Sequence, residues 1–294
     1  MPDRSSIAVV IPALNEALRL RGVVEGALAE CPTVIVIDDG SDDGTADTIA
    51  DLPVTLIRHQ CRMGKGASLR TGFAEALRRG VTGVVTMDGD GQHAASDIPR
   101  LLDAARYHPR HIVIGARLRK REQQPTYRRL ANEFGDWGIA WGTGYRIADT
   151  QSGQRYYPAE VLALGDVPGE DFVYEAQILI SAARTLGTRC VSVPIESRYA
   201  CVHASDDPEQ QFRASHFKPL RDFSRITSHI VGQVLAHGGM LEVYRRIRAN
   251  PPLIHDPDGE FAAYPSAQPA KTRGTRAPPR TIPTWSSWAA ASPA

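Results

Sequence analysis

The chain has 294 residues, 42% of them hydrophobic, with 34 Lys+Arg against 33 Asp+Glu for a formal net charge of +1. Such a chain supports one large domain or two small ones around a substantial core, and wholesale disorder is excluded. Balanced charge argues against nucleic acid as a partner, which needs excess positive charge on one face, and no run approaches the roughly 18–20 consecutive apolar residues of a bilayer span.

Residues 1–6 lead straight into a strand-like run and show no secretory leader pattern. The cysteines Cys31, Cys61, Cys190 and Cys201 are scattered without a CxxC pair, so a reduced, cytoplasmic protein is expected. Short β-branched runs at Ile7–Ile11, Val34–Ile37, Val54–Ile57, Val84–Met87 and Ile112–Ile114 predict strands buried on both faces. Between them, residues 66–79 place Leu69, Phe73, Ala76 and Leu77 on one helical face, with Gly80 as the stop. Residues 97–107 repeat the pattern with Ile98, Leu101, Leu102 and Ala105. Strand–helix alternation at this spacing predicts βαβ units and a parallel sheet, with right-handed crossovers placing helices on both faces.

Residues 116–130 are rich in Arg, Lys and Gln and read as a loop that is solvated, grips a phosphate, or is drawn to a membrane surface. Trp137, Ile139 and Trp141 predict a helix, and Val191–Ile195 a strand ended by Pro194. Residues 220–248 return to helical spacing and end in Arg245, Arg246 and Arg248; this helix packs on the core or lies in a membrane interface. From Asn250 the character changes, since nine of the 21 prolines fall in residues 251–294. That composition predicts a disordered tail, in which Trp285 and Trp288 are exposed or form a docking motif.

In an open parallel sheet, ligands bind beyond the carboxyl ends of the strands. Residues 12–16, 38–45 and 88–93 form three polar clusters at such ends. Asp, Gly and Ser also make turns and caps, but turns do not require adjacent carboxylates, which repel. A cation or sugar hydroxyls explain them better. In Asp88-Gly89-Asp90, extended geometry would point both carboxylates the same way, a site for Mg2+ or Mn2+ completed by ligand phosphates. Zinc is disfavoured without a His/Cys set, and His93 reads as a supporting donor. Gly64-Lys65-Gly66 opens a helix beside this crevice. It is no Walker A motif, but a helix N-terminus with a lysine suits a nucleotide.

These motifs together resemble the family-2 glycosyltransferases, most closely the branch of dolichol- and polyprenol-phosphate mannosyltransferases. The resemblance rests on residues 10–16, Asp38-Asp39-Gly40-Ser41 with Asp43-Gly44-Thr45, Gly64-Lys65-Gly66 and residues 88–93. It continues through residues 114–117, Pro125, Arg128, Arg129 and Asn132, then Asp149-Thr150-Gln151-Ser152-Gly153-Gln154-Arg155, which looks like the acceptor loop. It covers about residues 7–230. It implies an α/β, Rossmann-like GT-A fold, a divalent cation, and inversion at the anomeric carbon. Residues 1–115 would then be the nucleotide-sugar-binding half, 116–249 the acceptor-binding half, and 250–294 the tail.

By the same resemblance, Pro12, Asn15, Glu16 and Asp39 hold the nucleoside, and Asp88, Asp90 and Gln92 sit at the metal and diphosphate. Lys65 and Lys218, the latter in Ser215-His216-Phe217-Lys218-Pro219, contact the donor diphosphate. Arg117, Arg128, Arg129, Ser152 and Arg155 face the acceptor phosphate. The expected partners are GDP-mannose or UDP-glucose and a polyprenyl-phosphate lipid, met by peripheral contact at the inner face of the membrane. Ala116 departs from the usual Ser, Gln154 from the usual apolar residue, and the transmembrane helices of many relatives are not seen. Glu170-Asp171 has two readings. Asp171 resembles the general base of relatives with hydroxyl acceptors, which would make this a glycan or lipid hydroxyl transferase. Residues 171–177 also resemble the aromatic-Glu helix of the lipid-phosphate branch, where the pair only starts a helix. A nucleotidyltransferase would share a similar sheet and Asp site but would carry a glycine-rich signature where Pro12–Glu16 stands. A non-catalytic binding protein would have no need of both carboxylates.

Overall fold

The computed structural model describes residues 4–119, 126–167, 171–196 and 240–259; at residues 4, 126–132, 134, 171 and 172 it describes the backbone alone. In chain order the elements begin β1 (Ile7–Ala13), α1 (Leu20–Glu30), β2 (Val34–Asp38), β3 (Thr55–Arg58), α2 (Lys65–Arg78), β4 (Gly83–Thr86), α3 (Ile98–Tyr107) and β5 (Ile112–Arg119). They continue with α4 (Thr126–Thr143), β6 (Arg155–Pro158), α5 (Ala159–Leu162), α6 (Asp171–Ser181), β7 (Cys190–Glu196), α7 (Met240–Ala249) and β8 (Leu253–Ile254). One sheet runs β3-β2-β1-β4-β6-β5-β7-β8. All neighbours pair parallel except β6, which is antiparallel to both β4 and β5.

Strands β1, β2 and β4 are apolar on both sides because each side meets a different helical layer, whereas β3, expected to be buried on both faces, is an edge strand whose Leu56 and Arg58 are exposed. In β1, Ile7, Val9 and Ile11 join Leu20 and Val24 of α1 and Ile98 and Leu101 of α3. Ala8 and Val10 join Leu69 and Phe73 of α2 and Tyr174 and Ile178 of α6. This is the period-two alternation of a strand sandwiched between helices. Helix α2 lies flat on β1, since a Cβ at Gly72 would stand 2.4 Å from Val10 Cγ1.

The two helices expected at 66–79 and 97–107 form at Lys65–Arg78 and Ile98–Tyr107. Four further expectations are corrected. Residues 116–130 are not one loop: β5 runs on to Arg119, and α4 starts at Thr126. Ala116 and Leu118 turn inward onto Ile254 while Arg117 and Arg119 alternate with them, a strand pattern hidden by basic composition. Strand β6 starts at Arg155, the last residue of the expected acceptor loop, and runs on through three residues whose pattern predicts no element, because Arg155 and Pro158 bracket only two tyrosines. Pro194 does not end β7; it pairs with Ala116 just before a register shift, where a missing N–H is tolerated. Finally, residues 250–259 are not tail. Leu253–Ile254 pairs with β7, and Asp258 accepts from Arg100 at 2.6 Å and Arg119 at 2.7 Å.

Helix α7 packs Val243 and Ile247 onto Ala140 and Trp141 of α4. Residues 197–239, with Lys218 and most of the helix expected at 220–248, lie outside the described residues, as do 260–294 with Trp285 and Trp288. Among the described residues no helix is long and apolar enough to cross a membrane.

Candidate active site

The site is built at the carboxyl ends of β1, β2 and β4. After β1, Asn15 adopts φ +56°, a left-handed turn that Asn tolerates. The turn is stitched to the loop after β2. Asn15 N–H donates to Ser41 Oγ at 2.9 Å, Asp42 N–H to Asn15 Oδ1 at 3.1 Å, and Glu16 N–H to Thr45 Oγ1 at 2.8 Å. Ala17 N–H donates to Asp43, whose carboxyl also accepts from the Thr45 N–H and hydroxyl. Burial opposes ionisation of Asp43, but these donors outweigh it and hold its pKa below the ordinary value. The second polar cluster is therefore in large part a brace for the first.

Asp39 has a related duty. Its Oδ1 accepts from Met63 N–H at 2.9 Å and lies 2.8 Å from His59 Nδ1, and its Oδ2 accepts from Gly64 N–H at 2.8 Å. It thus fixes the chain entering α2. Gly40 permits the approach: it has φ +77°, and a Cβ there would stand 2.7 Å from the Cys61 backbone.

Lys65, the first residue of α2, reaches across to β4, with Nζ 2.7 Å from Asp88 Oδ1 and 3.3 Å from Glu175 Oε2 on α6. Asp88 Oδ2 lies 3.5 Å from His93 Nε2. Residues 88–91 form a turn rather than an extended segment, and Asp90 Oδ1 accepts from Gln92 N–H at 3.0 Å. The two carboxylates are pushed apart in acidity. Burial raises Asp88, but the Lys65 ammonium and His93 overcome it and keep it well below the usual carboxylate range. Asp90 is raised, first by burial and then by the charge of Asp88 beside it. The turn passes over the end of β1, where a Cβ at Gly89 would lie 3.3 Å from the Pro12 carbonyl oxygen.

The loop of residues 149–155 closes the far side. Gly153 lies directly against Asp88, since a Cβ would stand 2.2 Å from Oδ2. Three groups strap this loop. Arg117 grips Asp149 with Nε and Nη2 at 2.8 and 2.7 Å. Asp136 of α4 accepts from Asp149 N–H and from the N–H and hydroxyl of Thr150, and burial pushes its carboxyl up to about 6. Arg155, only 2% exposed, donates to the Ser152 and Thr150 carbonyls at 2.7 Å each and to Tyr157 Oη at 3.0 Å. Its guanidinium also lies 3.6 Å from Glu175.

The structure thus brings Lys65, Asp88, Asp90 and Gly153 together, with Arg155 behind them. It turns Arg117 onto Asp149, buries Ser152, and turns Arg155 inward onto the loop rather than outward to an acceptor, because an unpaired guanidinium in the interior would be costly. Arg128 and Arg129 fall in the first turn of α4 and Asp171 opens α6; their side chains lie outside the described residues. Glu175 and Asp136 carry roles that the sequence reading assigned to neither.

Among the described residues, no three His, Cys, Asp or Glu side chains converge into an all-protein metal cage. The donors present at Asp88 and Asp90 are hard oxygens, too few to enclose an ion. Such a set fits Mg2+ or Mn2+, which keep positions for phosphate oxygens, and does not fit zinc.

Residues 8–161 match the family model described as Glycosyl transferase family 2. This chain is a family-2 glycosyltransferase. The matched span runs from β1 into α5 and holds the site residues described above except Asp171 and Glu175 of α6. The enzyme is 33% identical over 203 residues to the undecaprenyl-phosphate mannosyltransferase of Micrococcus luteus, covering 64% of this chain and 82% of that one. It is 29% identical over 178 residues to the UDP-N-acetylglucosamine–dolichyl-phosphate N-acetylglucosaminyltransferase of Methanococcus voltae, covering 53% and 70%. Among solved structures, glucosyl-3-phosphoglycerate synthase of Mycobacterium tuberculosis, in complex with Mn2+, UDP and glucosyl-3-phosphoglycerate, superposes with a TM-score of 0.51. That match is 20% identical and covers 78% of each chain; it shows that this glycosyltransferase has the expected GT-A fold.

Proposed function

We propose that this glycosyltransferase moves a hexose from a nucleotide-diphosphate sugar to a polyprenyl phosphate, with inversion at the anomeric carbon. The observation that carries this reading is that both relatives named above act, by name, on an isoprenoid phosphate while their sugars differ. The acceptor class is therefore the better supported half, and GDP-mannose and UDP-glucose are the donors to test.

On this reading Pro12, Asn15, Glu16 and Asp39 shape the nucleoside pocket, and Lys65 and Lys218 serve the diphosphate. Asp88, Asp90 and Gln92, a DxD motif with its following amide, would hold the divalent cation, which when bound stabilises charge on the leaving diphosphate. Arg128 and Arg129 meet the acceptor phosphate directly, while Arg117, Ser152 and Arg155 hold the loop against which it docks. A lipid phosphate is already ionised and needs no general base, so Asp171 serves as the start of α6. The enzyme works as a peripheral protein at the cytoplasmic face of the membrane. Exposed Trp137, Met240, Leu241 and Tyr244, with exposed Arg245 and Arg248, supply the apolar and basic groups such contact uses.

The test incubates the full chain and Mn2+ with radiolabelled GDP-mannose or UDP-glucose, using polyprenyl phosphate or a water-soluble glycan as acceptor. Label from one donor should pass into the organic-extractable lipid. Label passing only to the glycan hydroxyl would overturn the reading and make Asp171 the base.

A further inference from the structure

Four charged side chains meet where α2 begins: Asp88 and Glu175 against Lys65 and Arg155. Their positions are unequal. Arg155 is pinned by two loop carbonyls and Tyr157. Glu175, 7% exposed, is held between Arg155 at 3.6 Å and Lys65 at 3.3 Å. Lys65 has a fixed root, the first turn of α2, but a flexible four-carbon stem, and two carboxylates lie within its reach.

Asp88, by contrast, is occupied on both oxygens. Oδ1 holds the Lys65 ammonium at 2.7 Å. Oδ2 faces His93 at 3.5 Å and is crowded by Gly153. A divalent cation that takes Oδ1 of Asp88 must share it with an ammonium that repels it or displace that ammonium. Displacement is the easier course, because Glu175 offers the ammonium a second carboxylate without returning it to water.

We infer that Lys65 is an internal counter-ion that competes with the divalent cation for Asp88, and that on metal binding it is handed over to Glu175 and the donor diphosphate. This rests on the metal reading of Asp88 and Asp90 given above. It makes metal and donor binding mutually reinforcing: the cation releases the ammonium, and the diphosphate gives the ammonium a new partner. By linkage, each ligand then tightens the other by the same factor. The GKG lysine thus has two jobs of opposite sign, weakening the metal when it comes alone and strengthening the diphosphate when both come together.

The experiment titrates the full chain with Mn2+, following free Mn2+ by electron paramagnetic resonance, without nucleotide and with GDP or UDP. Wild type, Lys65→Met, Lys65→Arg and Asp90→Asn are compared, each checked by thermal melting; Lys65→Gln replaces Lys65→Met if the latter does not fold. Without nucleotide, Lys65→Met should bind Mn2+ about tenfold more tightly than wild type or better, and Lys65→Arg should stay as weak as wild type. With nucleotide, wild type should gain affinity and Lys65→Met should gain little. A merely structural lysine would instead weaken both measurements. If wild type binds Mn2+, Asp90→Asn does not, and Lys65→Met binds no more tightly than wild type, the exchange is overturned and the metal reading stands. If no form binds Mn2+ even with nucleotide, the metal reading falls and the exchange with it.

Discussion

Among the described residues, the local structure at Asp90 is held by Oδ1, which accepts from the Gln92 N–H at 3.0 Å. An asparagine carbonyl oxygen can accept the same bond, so Asp90→Asn should fold and melt like wild type. It removes a charge from a two-carboxylate set, and transfer should fall by roughly 10²-fold or more; near-normal turnover at saturating Mn2+ would contradict the metal assignment. Asp136 makes a different prediction. Its folded-state pKa is raised from 3.8 to about 6. The folded protein therefore holds that proton more tightly than the unfolded chain. The stability Asp136 contributes is full below its unfolded value and is lost as pH rises through the folded one, a window of 3.8 to about 6. Other carboxylates titrate in the same range, so the useful quantity is a difference. Denaturant unfolding of wild type and Asp136→Asn at pH 4 and pH 7 should show wild type losing ground against the variant as pH rises. A difference independent of pH would show that Asp136 titrates normally.

At the level of elements, α2 is the part on which the site most depends, since it presents Lys65 from its first turn and seats Gly72 on Val10. Adding one methyl there forces the helix off β1, and Gly72→Ala should destabilise the fold by about 1–3 kcal/mol, read by urea unfolding. An unchanged midpoint would mean that the helix can slide without cost. The same helix was plain in the sequence, because Leu69, Phe73 and Ala76 recur at helical spacing and Gly80 follows. The strands β1, β2 and β4 were equally plain, as apolar runs with a carboxylate at their end or within three residues of it. Elements whose pattern is set from outside were not. In β6, a four-residue strand, the backbone is held by β4 and β5 on either side. The register of β5 beyond Gly115 shows only once β7 lies next to it. The site divides along the same line. Asp88, Asp90 and Lys65 announce themselves by position after strands and at a helix start. Glu175 and Asp136 look like ordinary helical acids until their partners, 110 residues away in the chain for Lys65 and Glu175 and 13–14 for Asp136 with residues 149 and 150, are seen.

For the molecule as a whole, the C-terminal boundary of the fold can be tested by two truncations. A chain cut after Asn250 loses β8 and both ion pairs of Asp258, whereas one cut after Gly259 keeps them. The longer chain should melt several degrees higher, since even about 1 kcal/mol is visible on that scale; equal melting temperatures would show that the strap adds nothing. Assembly of the sheet also has an order in time. The block β3-β2-β1-β4 can form from neighbours joined by short crossovers, and β4 then waits with an open edge, because its partner β6 follows β5 in the chain but lies between the two in the sheet. On a ribosome making roughly 5–20 residues per second, that edge stays unpaired for several seconds, a template for intermolecular pairing that a chaperone would have to shield. The segment that finally covers it, Arg155–Pro158, is continuous with Gly153, which lands on Asp88. Closing the β4 edge and seating Gly153 on Asp88 are thus coupled steps of biogenesis, and they precede the arrival of Glu175 on α6 and the covering of the β5 edge by β7.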